Sequence, residues 1–347
     1  MSERRTYLDV GVGETRGVVT LDGRPERLLI RRDGDIACQA LGAEVVGRVR
    51  KVERQLALAF IDLGDGPDGV LNLRPDMDRL VEGQAVQVEI RSEARAGKGA
   101  SLRLVGVGEG PPRLVTPALS IQDELAGVAS RAEVITGGVA RATADTAEAE
   151  ALETVFPLPG GGTVAIEATR ALIAVDVDLG DRGGSDAKRA TRAANFAALT
   201  TAARVLRLKG EGGLVVVDLA GRGHDGPAML AAARNAFAPD NPGVALGPIG
   251  RFGTLELTVP RRGRSVAERL LAPDGRPTAL TLALRLVRAV ERQALADPGA
   301  RIAARAAPAV AQAAQPYIKA LTDRFGARLD LAADAGRPDE VFEVQAQ

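Results

Sequence analysis

Tryptophan is absent from the 347 residues, and tyrosine occurs only twice. With seven phenylalanines beside them, an aromatic-rich platform for stacking bases is not expected. A single cysteine, Cys38, excludes an internal disulfide framework and any cysteine-based zinc site. A single histidine, His224, excludes multi-histidine metal sites and argues against a Ser-His-Asp triad. Neither sign of charge prevails, with 45 Lys+Arg against 45 Asp+Glu, so a globally basic nucleic-acid binder is excluded while a local basic face is not. No apolar run reaches the ~18 residues that a membrane span needs. No apolar core follows Met1-Ser2-Glu3-Arg4-Arg5, so no secretory signal is visible and a cytoplasmic location is expected. What remains for chemistry is carboxylates, arginines and backbone.

Hydrophobic residues make up 46% and charged residues 26%, the balance of a soluble globular protein long enough for two or three domains. Residues 6–32 alternate apolar and polar around Asp22-Gly23, a strong hairpin signal. Five short strands are expected between residues 35 and 107: Val45–Val52, Ala57–Leu63, Gly69–Leu73, Ala85–Ile90 and Ser101–Val105. That density of strands suggests a small barrel. Residues 113–157 carry only a weak helical stretch near Ala144–Val155. Strands are then expected at Val164–Ala168, Leu172–Val177 and Leu214–Leu219, with a helix over 187–209 between the last two. Strand, helix, strand predicts two parallel, adjacent strands. A second amphipathic helix over 277–296, an Ala-rich helix and two strand-like stretches complete the chain.

Asp176 and Asp218 stand at the carboxyl ends of the two apolar strands, 42 residues apart. In open α/β sheets, sites form outside the carboxyl ends of strands. Two carboxylates brought together there repel, and a divalent cation resolves the repulsion; magnesium accepts one or two carboxylates, several waters and a substrate phosphate. The competing reading is that each acid merely caps the turn or helix that follows its strand. Residues 158–273 carry 15 Lys+Arg against 11 Asp+Glu. Arg189, Arg192 and Phe196 lie on one helical stripe, and Arg182-Gly183-Gly184 is a basic turn just after the first acid. Such groups suit phosphates, although a solvated helix face has the same look. His224, just past Asp218, is either a proton shuttle or an exposed loop residue.

The stretch from Gly161-Gly162-Thr163-Val164 through Asp176, then Arg182-Gly183-Gly184, Leu206-Arg207-Leu208 and Gly212-Gly213-Leu214-Val215-Val216-Val217-Asp218, resembles the catalytic domain of the ribonuclease E/G family. Arg251-Phe252-Gly253-Thr254-Leu255-Glu256 is similar to the family's Arg-Phe-Gly motif. Gly47-Arg48-Val49, Leu56 to Gly64 and Gly97-Lys98-Gly99-Ala100 are similar to its OB-fold domain, and residues 277–347 resemble its small C-terminal domain.

The resemblance implies an α+β multi-domain protein. An OB-fold β-barrel (35–107) would be inserted in a reduced RNase H-like unit (1–34 with 108–157). An α/β, DNase I-like catalytic domain (158–273) and a small α/β C-terminal domain (274–347) would follow. It implies an endoribonuclease that cleaves single-stranded RNA in processing or decay by magnesium-assisted hydrolysis, with manganese as an alternative ion. Asp176 and Asp218 would be the catalytic metal ligands, with Asp178 as an optional third. Phe60, Lys98, Arg182, Arg189, Asn195 and Arg251 would contact RNA. Five departures matter. Asp178 stands where the family usually has asparagine, and Gly221 where it tends to have a further aspartate. Val70 replaces a second barrel aromatic, which removes a stacking surface. The zinc-linking cysteine pair is missing, so no zinc is expected and any homo-oligomer would form without it. Residues 108–157 leave no room for the family's 5′-end sensor, so preference for a 5′-monophosphate should be lost. The contrasting reading is an RNA-binding protein of the same descent that has lost catalysis, alone or inside a larger assembly.

Overall fold

The computed structural model describes residues 3–95, 97–128, 133–180, 187–241 and 243–347. The chain opens with an antiparallel meander of β1 (Arg4–Val10), β2 (Glu14–Leu21) and β3 (Arg24–Arg32). The expected Asp22-Gly23 turn joins β2 to β3, with both residues left-handed at φ 51° and 78°. That is the two-residue turn whose twist matches paired strands.

Before the meander is completed, the chain builds a barrel. Its strands are β4 (Glu44–Glu53), β5 (Leu58–Asp62), β6 (Gly69–Asn72), β7 (Ala85–Ser92) and β8 (Ser101–Val107). They close in the order β4-β5-β6-β8-β7-β4, with β6 and β8 parallel. All five strands read from the sequence are present. The closed five-stranded barrel is consistent with an OB-fold. Inward positions alternate with outward ones, so Val45, Val49, Ala59, Ile61, Leu71, Val88 and Ile90 share one core. A short β9 (Arg113–Thr116), which the sequence did not signal, pairs with the start of β4.

The chain then returns to the meander. Helix α1 (Ile121–Val128) packs Ile121 and Leu125 on one face of the sheet, against Leu8 and Val19. The two-residue β10 (Val134–Ile135) pairs parallel to β1, giving the order β10-β1-β2-β3. Helix α2 (Gly137–Leu152) covers the other face with Ala140, Ala144, Ala147 and Ala151, the small residues of one helical stripe.

The next unit is a six-stranded sheet. It contains β11 (Val155–Pro157), β12 (Thr163–Ala168), β13 (Ile173–Asp178), β14 (Gly213–Asp218), β15 (Ala245–Ile249) and β16 (Thr254–Val259), in the order β11-β12-β13-β14-β16-β15. Because β11 pairs with β12, this sheet starts at Val155, a little before the expected boundary at 158. Helices α3 (Ala187–Lys209) and α4 (Gly226–Phe237) pack on one face. A short α5 (Val266–Leu270) follows, with Ser265 and Glu268 forming a reciprocal N-terminal cap.

The last unit holds α6 (Ala279–Ala296), β17 (Ile302–Ala306), α7 (Pro308–Phe325), β18 (Leu329–Ala333) and β19 (Glu343–Ala346), with strand order β18-β17-β19. No helix among the described residues is long and apolar enough to cross a membrane. The whole is a mixed α+β architecture of several sheets.

Candidate active site

The two acids meet. Strands β13 and β14 are parallel neighbours joined by α3, and their register pairs Asp176 with Asp218. Val175, Val177, Val215 and Val217 point to the helix-covered face and are buried. By strand alternation Asp176 and Asp218 point the other way, where both are exposed. Backbones of adjacent strands lie ~4.8 Å apart, so the two carboxylates share one small patch of the open face. Their cross-strand neighbours on that row are Ala165 and Thr254, neither of which supplies a countercharge.

Asp178 lies on the same face, but its Oδ1 accepts a hydrogen bond from the Gly180 amide at 2.9 Å, which shapes the turn out of β13. Among the described residues, no three acidic, histidine or cysteine side chains gather as a metal-binding set. Asp178 is thus engaged in the turn out of β13, whereas Asp176 and Asp218 form the in-register pair. Two carboxylates still match magnesium, which keeps most of its water shell and needs few protein oxygens.

The loop after Asp218 is held from below by α3. Asn195 is fully buried, with Nδ2 donating to the Ala220 carbonyl and Oδ1 accepting from the Ala220 amide, each at 3.0 Å. The expected RNA contact by Asn195 is thus replaced by a positioning role, because both ends of its amide are spent on backbone. Arg192 pairs with Asp225 at 3.2 Å and lies 5.3 Å from the Phe196 ring centre, and Asp225 caps α4 by accepting from the Ala228 amide at 3.1 Å.

Gly221 completes this clamp. Its φ is +83°, and a Cβ there would sit 2.9 Å from the Thr191 methyl carbon. A left-handed conformation costs a non-glycine residue ~1–2 kcal/mol before any clash. Gly221→Asp, which would restore the family's acid, is therefore expected to lower the thermal midpoint, and Thr191→Ala to recover part of the loss. Equal melting curves for wild type and Gly221→Asp would show that the loop is not held this tightly.

Beside Asp218 runs β16, whose first residue, Thr254, is the cross-strand partner of Asp218. The turn feeding it is closed by hydrogen bonds from the Gly253 amide to the Gly250 carbonyl and from the Gly250 amide to the Thr254 carbonyl, at 3.0 and 2.8 Å. Gly253 takes φ +89°, as a three-residue hairpin loop requires at its last position. Arg251 and Phe252 form the corner, with the guanidinium 4.6 Å from the ring centre and Phe252 78% exposed. Sequence reasoning selected Arg251 and passed over Phe252; its place inside the Arg-Phe-Gly motif was the available signal.

Lys188, Arg189 and Arg192, at the start of α3, line a cleft of about 610 Å³ together with Arg222 and His224. Arg182 lies outside the described residues. On the barrel, Phe60 is half-buried and pairs across the strands with Val70, the residue that replaces an aromatic. Val70 in turn pairs with Ser101, and the exposed Lys98 sits in the tight turn just before it, so Phe60 and Lys98 belong to one wall. The loop carrying Lys98 is pinned to the segment after β16. The Glu93 amide donates to the Arg262 carbonyl at 2.9 Å, and its carboxylate accepts from the Arg264 amide and Arg269 Nη2 at 2.9 and 2.6 Å.

Residues 136–262, which run from α2 to just past β16, match the model of the Ribonuclease E/G family. Over this segment the chain is similar to the ribonuclease E/G family. Ribonuclease E of Haemophilus influenzae is 32% identical over 151 residues, which cover 40% of this chain and 16% of that protein. Ribonuclease E of Escherichia coli is 31% identical over 151 residues, covering 40% and 14%. The chloroplastic Ribonuclease E/G-like protein of Arabidopsis thaliana is 32% identical over 123 residues, covering 34% and 12%. The chain thus matches less than a fifth of the length of these curated relatives. The matched segment contains Asp176, Asp218, the α3 clamp and the Arg251–Phe252 turn, but not the barrel.

Proposed function

We propose that the protein is an endoribonuclease that hydrolyses phosphodiester bonds of single-stranded RNA in RNA processing or decay. The observation that carries this reading is the in-register pair Asp176–Asp218 on the open face of the sheet, inside the segment that matches the family. Stability alone gives no reason to set two carboxylates side by side without a countercharge. Asp176 and Asp218 would hold magnesium, or manganese in its place. When bound, such an ion polarises a phosphoryl oxygen and lowers the pKa of an attached water.

The protein's own groups do the rest. Lys188 and Arg189, at the start of α3, and Arg251, in the turn before Thr254, would supply positive charge to the phosphates flanking the acid pair. Phe60 and Lys98 hold the strand further along, on the barrel wall. Asn195 keeps the loop beyond Asp218 in one shape, so Arg222 and the end of β14 keep a fixed relation. We read the four-stranded sheet with α1 and α2 as the reduced RNase H-like unit, since its three antiparallel strands and a fourth parallel to β1 suit that fold. The six-stranded sheet is then the DNase I-like catalytic domain, and the protein acts in the cytoplasm.

The test is a 5′-labelled, unstructured RNA of about 20 nucleotides, long enough to cross both surfaces, incubated with magnesium or with EDTA. Internal cuts are expected with magnesium only, and none from the Asp176→Asn/Asp218→Asn double variant. A 5′-monophosphate is expected to leave the rate unchanged. Salt-sensitive binding of the same RNA without any cleavage would instead favour a non-catalytic RNA binder.

A further inference from the structure

Of the seven phenylalanines, all within the described residues, Phe252 alone is exposed. The others lie buried or half-buried in cores and on the barrel. An exposed aromatic on a mobile tail would mean little, but this ring sits at the corner of a turn closed by two backbone hydrogen bonds. Its partner Arg251 lies over the ring, which orients it. Behind the turn, Gly253 abuts His224: a Cβ at Gly253 would come 3.4 Å from Nε2 of that imidazole. The ring borders a cleft of about 760 Å³, walled by Pro248 and Ile249 of the edge strand on one side and by Arg222 and His224 on the other.

The place of this cleft gives it meaning. Thr254 is paired with Asp218, and Phe252 stands two residues before Thr254 at the same end of the sheet. That puts the turn ~7 Å beyond the acid row and one strand to the side. An RNA strand with a phosphate at the acid pair must send its next nucleotide past some neighbouring surface. The turn offers an aromatic face for the base and Arg251 and Arg222 for the following phosphate.

We propose that this cleft is a nucleobase subsite. Phe252 stacks on the base of the nucleotide next to the scissile phosphate, while Arg251 both braces the ring and neutralises the adjoining phosphate. The inference rests on the proposed nuclease function and adds to it a second stacking surface, placed at the acids' end of the sheet rather than on the barrel. Every base has a π-face, so the subsite accepts any base and selects against a missing one.

The experiment measures RNA affinity in EDTA and cleavage in magnesium for a short single-cut RNA and for copies carrying one abasic residue at each position in turn. For wild type, one abasic position beside the cut is expected to weaken binding about tenfold, within the range measured for stacking of a base on an aromatic. Phe252→Ala should weaken binding of intact RNA by a similar factor, and the same abasic substitution should then cost nothing further. Phe252→Trp should retain binding. If wild type binds and cuts RNA but Phe252→Ala is unchanged, or the two penalties simply multiply, the subsite is wrong and the nuclease reading stands. If wild type neither binds nor cuts any of these RNAs, both fall together.

Discussion

Asp218→Asn is expected to reduce RNA cleavage by about 10³-fold, the scale of loss when a group acting on transition-state charge is removed. Its thermal midpoint should stay level with wild type or rise slightly. The second half of this prediction decides between two roles for the acid. A carboxylate that caps a turn or pairs with an arginine stabilises the fold, and its loss lowers stability. Asp218 faces Asp176 across adjacent strands on the open face. Like charges there repel, so neutralising one relieves the fold. Asp176→Asn should behave in the same way. The double variant should be no less active than either single one, because the acids act as one unit. By contrast, Asp178→Asn should leave most cleavage intact, since an asparagine oxygen can still accept from the Gly180 amide. A drop in melting temperature for Asp218→Asn, with cleavage retained, would return the pair to a structural role.

How far the sequence revealed this site depended on the range of the interactions involved. The helix over 187–209 was legible to its ends, because its small and apolar residues recur every three or four positions and glycines stop it. The parallel pairing of β13 and β14 followed from the helix between them, and the meeting of the acids followed from that pairing. The barrel strands were marked by turn residues. Asn195 was misread because its partner, Ala220, lies 25 residues away, and a buried amide has the same letter as an exposed one. Phe252 was passed over because a chain poor in aromatics argued against stacking; one ring at a turn corner is a fact of geometry, invisible to composition. The alternation in residues 6–32 marked the hairpin but not where its polar residues lie. Asp9, Glu14 and Arg16 are buried, because the charges that satisfy them arrive from helices far along the chain.

Those buried charges carry the second large effect. Arg16 is 1% exposed and reaches Asp9 at 2.6 Å, Asp145 at 2.8 Å and Glu148 at 3.1 Å. Glu148 is shared with Arg285 at 2.8 Å and Arg288 at 3.3 Å, and Arg288 also meets Glu14 at 2.6 Å. This cluster joins the N-terminal sheet and α2 to α6, where an apolar core would otherwise be needed. Arg16→Met is expected to destabilise the protein by ~3–5 kcal/mol, because Asp9 and Glu148 lose a partner without regaining water. Burial pushes the Glu148 carboxyl up, but Arg288, Arg285 and Arg16 together bring it below its ordinary value of 4.5. A carboxylate lowered on folding contributes stability in full above its unfolded pKa and loses it as the pH falls through the folded one. Wild type should therefore keep this contribution further into acid than an unpaired carboxylate would allow, and Arg16→Met should unfold at a higher pH, since one of the three arginines holding Glu148 down is gone. Far-ultraviolet circular dichroism during urea and acid titrations reads both effects. At temperatures where the variant remains folded, its cleavage rate should match wild type, because the cluster touches neither Asp176 nor Asp218. An Arg16→Met protein with unchanged urea and acid midpoints would mean that water, rather than arginine, satisfies these carboxylates.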